Sequence, residues 1–328
     1  MRQIYLLLGT ACSLMAGTVQ NDLPPRLQWN ANGGYCGETA LISGGIYWGQ
    51  YLSQYTARDI ALQGAPQTSG ALLIGINDGT AASGMRLNAT EWDTDSEENT
   101  DDFLVWVKQQ VVQGNPVCIG LYMNQSIFHP GSSHPGDDDY DHIVTVFQID
   151  SNDMSGTAYD PNDVFHFSDH GLYKEDGEHR PYLFQLTFGE AQKSRAEANL
   201  LSSPIYSLSN DASNYGLTIQ GVAGDTLPVR VETSVNSELP AMVSQSNTPP
   251  TAAPVTLTVT VSGLTPGVTY NLYRYNVMEN VPTEQFNAQE ARAVQKWVIV
   301  AEKSTYTTME TIESNEVAVY RAVEASAP

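Results

Sequence analysis

Apolar residues recur at helical spacing across residues 37–56, where Leu41, Ile42, Ile46, Trp48, Tyr51 and Leu52 would line one face of a helix. Gly44 and Gly45 interrupt that face, and such a pair weakens a helix unless close packing needs the missing side chains. A second helical stretch opens on Asp101 and Asp102. It carries Phe103, Leu104, Trp106, Val107, Val111 and Val112 as its apolar side and is stopped by Gly114 and Pro116. The period then changes. Residues 117–123 are apolar throughout, as a strand covered on both faces would be, and Ile143, Val144, Val146, Phe147 and Ile149 form another such run. Shorter strands predicted at 156–159, 164–167 and 182–188 complete an antiparallel sheet, and 189–200 reads as a helix.

Near Ser202 the composition shifts to β-branched and aromatic runs separated by turn residues. Strands are predicted at 217–219, 229–235, 255–261, 270–275, 297–301 and 317–323, with a Ser/Thr/Pro-rich loop at 244–254. The stretch 255–275, with Gly263-Leu-Thr-Pro-Gly267 between two strands, resembles a hairpin of a fibronectin-III-like sandwich. The expected fold class is α+β: a domain of helices packed on an antiparallel sheet over 22–201, followed by an all-β, sandwich-like accessory domain over 202–328.

A chain of 328 residues has room for two such domains. Its net charge of -22, with 37 acidic against 15 basic residues, argues against nucleic-acid binding, which needs clustered Lys and Arg. Arg2, the apolar run 4–15 and the small residues Ala16, Gly17 and Thr18 read as a secretory signal peptide over 1–18, hence a secreted protein. No stretch has the roughly 20 apolar residues of a membrane span. Beyond that leader only Cys36 and Cys118 remain, too few for a disulfide scaffold, and they read as one bridge or as one reactive and one buried thiol. No phosphate-binding glycine loop and no Gly-x-Ser-x-Gly elbow is present, and no cofactor is implied. Two acidic runs, residues 93–98 with Asp101 and Asp102, and Asp137 to Asp139 with Asp141, have the oxygen spacing that suits Ca²⁺ but no EF-hand pattern; solvated loops are the plain alternative. His129, His134, His166, His170 and His179 show no zinc-ligand spacing.

The strongest local signal is Gln28-Trp-Asn-Ala-Asn-Gly-Gly-Tyr-Cys36-Gly-Glu-Thr-Ala40. A glycine-rich approach ending in Cys-Gly ahead of a helix sets the thiol at a helix N-terminus, where dipole and free N–H groups favour thiolate and stabilise an oxyanion. A thiolate nucleophile works with a cationic partner able to protonate the leaving group. His142, opening the apolar strand after Tyr140 and Asp141, is the leading candidate. Asp160, before the Pro161 turn, is the first choice to orient the imidazole, with Asn162 the second.

In the order of these features the chain resembles the papain-like cysteine peptidases, and among them the C39-like branch. The likeness runs over residues 26–165: Gln28 upstream of Cys36-Gly37, then Gly114-Asn-Pro-Val-Cys-Ile-Gly120, Asp141-His142 leading a hydrophobic strand, and Tyr159-Asp160-Pro161. The resemblance implies a papain-like domain over 22–201 and a thiol protease acting on protein or peptide through an acyl-enzyme. Cys36 would be nucleophile, His142 base, Asp160 orienter and Gln28 oxyanion donor. Gln28 lies eight positions before Cys36 where the family more often has six, and Asn30 stands at the nearer position. The same triad serves acyl transfer to an amine, as in a transglutaminase. A non-catalytic papain-like binding module is the further alternative, and in either case the accessory domain would dock onto a surface or polymer.

Overall fold

The computed structural model describes residues 17–325 apart from 24–25, 30–33, 93, 95–98, 171–181, 212–213 and 234–248. In chain order the elements begin with strand β1 (Gly17–Gln20), helix α1 (Cys36–Tyr47), β2 (Gln50–Tyr51), α2 (Gln54–Ala61), α3 (Asp78–Gly84) and β3 (Leu87–Glu91). Next come α4 (Thr100–Val112), β4 (Val117–Met123), α5 (Gln125–Phe128), β5 (His142–Ser151), β6 (Val164–Asp169) and β7 (Tyr182–Thr187). Then follow α6 (Phe188–Ala191), β8 (Gln192–Lys193), α7 (Arg195–Ala198), β9 (Tyr206–Ser209) and β10 (Gly216–Val222). The last strands are β11 (Val229–Thr233), β12 (Pro254–Ser262), β13 (Thr269–Tyr275), β14 (Gln295–Val300), β15 (Thr305–Glu313) and β16 (Ala318–Glu324). The fold is mixed α+β with antiparallel sheets.

The largest sheet runs β3-β10-β4-β5-β6-β7, with β1 on β5 and β9 on β4. Strands β4 and β5 are central, and side-chain alternation divides their residues between two cores. Val117, Ile119, Leu121, Val144 and Val146 face α4, which contributes Phe103, Leu104, Val107 and Val111. Cys118 and Ile143 face α1, which contributes Ala40, Leu41 and Ile42. Helix α4 starts where Asn99 Oδ1 accepts the Asp102 N–H at 3.0 Å, with Asp101 and Asp102 against the positive end of the dipole. It stops at Gly114, whose φ of +88° lies in the left-handed region. The pair Gly44-Gly45 lies within α1 because the helix sits close on its neighbours: a Cβ at Gly44 would stand 2.2 Å from Ile219 Cδ1 of β10.

Several elements differ from expectation. The helix expected over 37–56 is two helices with β2 between them, because Gln50 and Tyr51 pair with Val319 and Ala318 of β16. The stretch 189–200 holds two one-turn helices, α6 and α7, separated by β8, which pairs in parallel with β9. No strand forms at 156–159, which belongs to the connection between β5 and β6. Strands β9 and β10 lie beyond residue 202 and still join the first sheet, since β10 pairs with both β3 and β4. The 255–275 stretch is not a hairpin: β12 pairs with β11 and β15, whereas β13 pairs with β14 and β16. The chain between them crosses from one sheet to the other. Those two sheets share a core of Val231, Val255, Leu257, Val259, Leu272, Ile299 and Tyr320, and Ile46 of α1 reaches into it. The stretch expected as a signal peptide lies outside the described residues up to 16, but Gly17 and Thr18 pair with Ser151 and Asp150 as part of β1. The expected 244–254 loop lies outside them up to 248.

One buried ion pair ties α4 to the β5–β6 connection. Lys108 Nζ donates to Asp163 Oδ2 at 2.7 Å and to the Ala158 carbonyl at 2.8 Å, and both side chains are sealed from solvent. Truncating one partner of such a pair leaves a buried charge uncompensated, so Lys108→Ala should lower the unfolding free energy by about 3–5 kcal/mol. Lys296→Ala removes a pair with Glu290 whose side chains are 35% and 55% exposed, and should cost under about 1 kcal/mol. Urea denaturation of both variants beside wild type measures the contrast, and equal losses would remove the buried pair as its cause.

Candidate active site

Cys36 is the first residue of α1 and is partly exposed, while every residue from Gly37 to Tyr47 is buried. Tyr35, at the cap position, makes no side-chain bond to this helix start. The first-turn N–H groups beside the thiol therefore take no capping oxygen from it. Gly37 is required by the strap at residues 71–77: a Cβ there would stand 2.1 Å from the Leu72 carbonyl oxygen. The other cysteine, Cys118, is free and buried in β4, and burial pushes its thiol up to about 12.

His142 is the first residue of β5 and is fully buried, with the strand held between β4 and β6. Its Nε2 lies 3.2 Å from Oδ1 of Asp169, the last residue of β6, which is equally buried. Tyr206 stacks on one face of the imidazole at a centroid distance of 5.6 Å, and His170 meets it edge-on at 5.7 Å. With Nε2 turned to Asp169, Nδ1 has no hydrogen-bond partner among the described residues, and the nearby Cys36 favours the charged ring. Burial pulls the His142 pKa down, but Asp169 and Cys36 together outweigh it and raise it to about 9. His170, buried beside His142, is pushed down to about 4, by burial first and by His142 second.

Asp160, the expected orienter, is elsewhere, and hairpin geometry explains the difference. β5 is ten residues long, which spans roughly 30 Å. Asp160 sits in the connection at the closed end, where its Oδ1 accepts from the Asn162 backbone and side-chain amides at 2.9 Å. His142 sits at the open end. The strand that returns to it is β6, and since Val146 pairs with Phe167, even steps along both strands put His142 and Asp169 on one face. Along β6, strand alternation places Asp169 on the face that carries Phe165 and Phe167.

Gln28 is buried beside the same strand end, its backbone N–H donating to the His170 carbonyl at 2.9 Å. Asn30, the alternative oxyanion donor, lies outside the described residues. Tyr140 donates its hydroxyl to the Ile74 carbonyl at 2.9 Å, and its pKa is raised by burial and, next, by Cys36. Among the described residues no group of three or more His, Cys, Asp or Glu is set to hold a metal. Asp141 instead accepts from the Met123 and Asp137 amides and pairs with Arg195. The acidic run 93–98 lies outside the described residues except for residue 94, as does His179. His166 pairs with Asp150 at 2.7 Å and is not joined to His170.

A pKa raised from the ordinary 6.5 to about 9 makes protonated His142 a source of stability. That contribution is fully present below about 6.5 and is lost as pH rises through about 9. The stability gap between wild type and His142→Gln should therefore narrow across this window, and Asp169→Asn should flatten it. Urea unfolding at a series of pH values reads the gap, and a gap independent of pH would contradict the ion pair. Compared with known protein families and with curated proteins, the chain matches none, so the functional reading rests on these side chains.

Proposed function

We propose that the chain is a cysteine peptidase in which Cys36, His142 and Asp169 form the catalytic triad on a papain-like domain. The observation that carries this reading is a buried imidazole with one nitrogen on a buried carboxylate, its charged form favoured by a nearby, partly exposed thiol at a helix start. The thiolate sulfur attacks a peptide carbonyl, whose oxygen takes the negative charge. The first-turn amides of α1, with Gln28 close to the same strand end, are the donors available to it. As the C–N bond breaks, the imidazolium delivers its proton to the leaving amine. The neutral imidazole then takes a proton from water, the resulting hydroxide attacks the thioester, and thiolate and imidazolium are regenerated. Asp169 fixes the ring and favours its charged form.

An amine in place of that water gives acyl transfer, which the same residues support equally, so hydrolysis is preferred on the resemblance to C39-like peptidases. Protein or peptide is the proposed substrate, and secretion is proposed from the residues at the amino end. The two C-terminal sheets, packed face to face, support a sandwich-like accessory unit that docks onto a surface or polymer. No helix among the described residues is long and apolar enough to cross a membrane.

Iodoacetamide labelling located by mass spectrometry tests the triad. Cys36 should alkylate at pH 6 while Cys118 stays protected, His142→Ala should lose that rate, and Asp169→Asn should lose at least tenfold of it. Against a peptide-library substrate, Cys36→Ser should reduce turnover by about 10³-fold or more. A Cys36 that alkylates only at alkaline pH, or equally well without His142, would sink the peptidase reading.

A further inference from the structure

Glu38 lies two residues after Cys36 in the first turn of α1, with no exposed surface. A bare carboxylate there would oppose charge on the neighbouring sulfur. It is not bare: Glu38 Oε1 accepts from Arg58 Nε at 2.7 Å and from the Leu72 backbone N–H at 2.8 Å. Arg58, on α2, is as deeply buried and spends its other donors on the approach to the thiol. Its Nη2 donates to the Gly34 carbonyl, its Nη1 to the Gln67 carbonyl at 3.2 Å, and its guanidinium lies 3.5 Å from the centroid of the Tyr35 ring. The Tyr35 hydroxyl in turn donates to Gln67 Oε1 at 3.0 Å. The pair therefore includes the second residue after Cys36 and touches the two residues before it and the strap whose Leu72 carbonyl rests on Gly37.

We propose that Glu38 and Arg58 are positioning residues for the nucleophile. Arg58 fixes the path of Gly34 and Tyr35 into α1, and it cancels the Glu38 charge so that the helix start keeps its positive potential at Cys36. This rests on the reading of Cys36 as nucleophile. The planar guanidinium fork is needed for the first task, because a lysine offers one compact charge and no flat face to hold carboxylate, carbonyl and ring together. Either positive charge serves the second.

The pH profile of Cys36 alkylation separates these roles from mere stability. Arg58→Lys should retain the acidic limb of the profile but lower the rate at pH 6 by about tenfold, through misplacement of the loop. Burial already holds the Glu38 carboxyl above its usual range, so in Arg58→Gln it takes up a proton at acidic pH and ionises without its partner only as pH rises. Arg58→Gln should therefore lower the pH 6 rate as Arg58→Lys does and depress the rate further at neutral and higher pH. The double variant Glu38→Gln with Arg58→Gln should lift that second depression, a rescue that a purely structural role would not produce. Thermal unfolding of each variant identifies folded material, and Arg58→Lys carries the test if the glutamine variants do not fold. A wild type that alkylates at pH 6 while Arg58→Lys overlays it overturns this proposal alone. An unreactive wild type overturns the nucleophile and its positioning pair together.

Discussion

Helix α1 has no solvent face, since all of its residues after Cys36 are buried, and its polar side chains Glu38, Thr39 and Ser43 are enclosed with the apolar ones. The large sheet covers one side, through Ile143, Cys118, Leu217 and Ile219 against Ala40, Leu41 and Ile42. The C-terminal strands cover the other, where Ile46 joins Val229, Val231 and Tyr320. Small residues at Gly37, Ala40, Gly44 and Gly45 let both layers approach, and a helix so enclosed fixes its first residue in space. The precision of Cys36 thus originates in packing at the far end of its own helix.

The same constraint accounts for the way the two halves of the chain are joined. A separate accessory domain would leave one flank of α1 in water. Instead Gln50 and Tyr51 extend the sheet of β13, β14 and β16, Leu227 bridges to Ala322, and Tyr273, Tyr275 and Val319 lie in the same core as α1. The change of composition near Ser202 marks the point where helices give out, not where contacts do: β9 and β10 still serve the first sheet. Composition reports which elements form, and strand pairing decides which layer they join.

What the sequence makes legible is therefore local. The cap and stop of α4 and the unbroken apolar run of β4 are readable because neighbouring residues determine them. So are the glycine-rich approach that starts α1 at Cys36 and the strand that starts at His142. Asp169 is not readable in that way. Its approach to His142 depends on the length of the β5–β6 connection, and a strand placed at 156–159 shortens that connection and selects Asp160 in its stead. The crossing between β12 and β13 is hidden for a like reason, because Gly263-Leu-Thr-Pro-Gly267 has hairpin chemistry while the partners of both strands lie far along the chain. The Glu38–Arg58 pair spans twenty residues and announces itself by no motif.

The site brings buried opposite charges together in a chain that is acidic as a whole. Two buried pairs of opposite sign serve it, Glu38 with Arg58 and His142 with Asp169. Each pair is nearly neutral as a unit, so burial is tolerable, yet each places its positive member toward the thiol or the loop that carries it. His170 is pushed the other way, because burial and the adjacent His142 both disfavour a charge on it. The two neighbouring imidazoles are thereby shifted in opposite directions, and the distinction follows from which of them bonds Asp169.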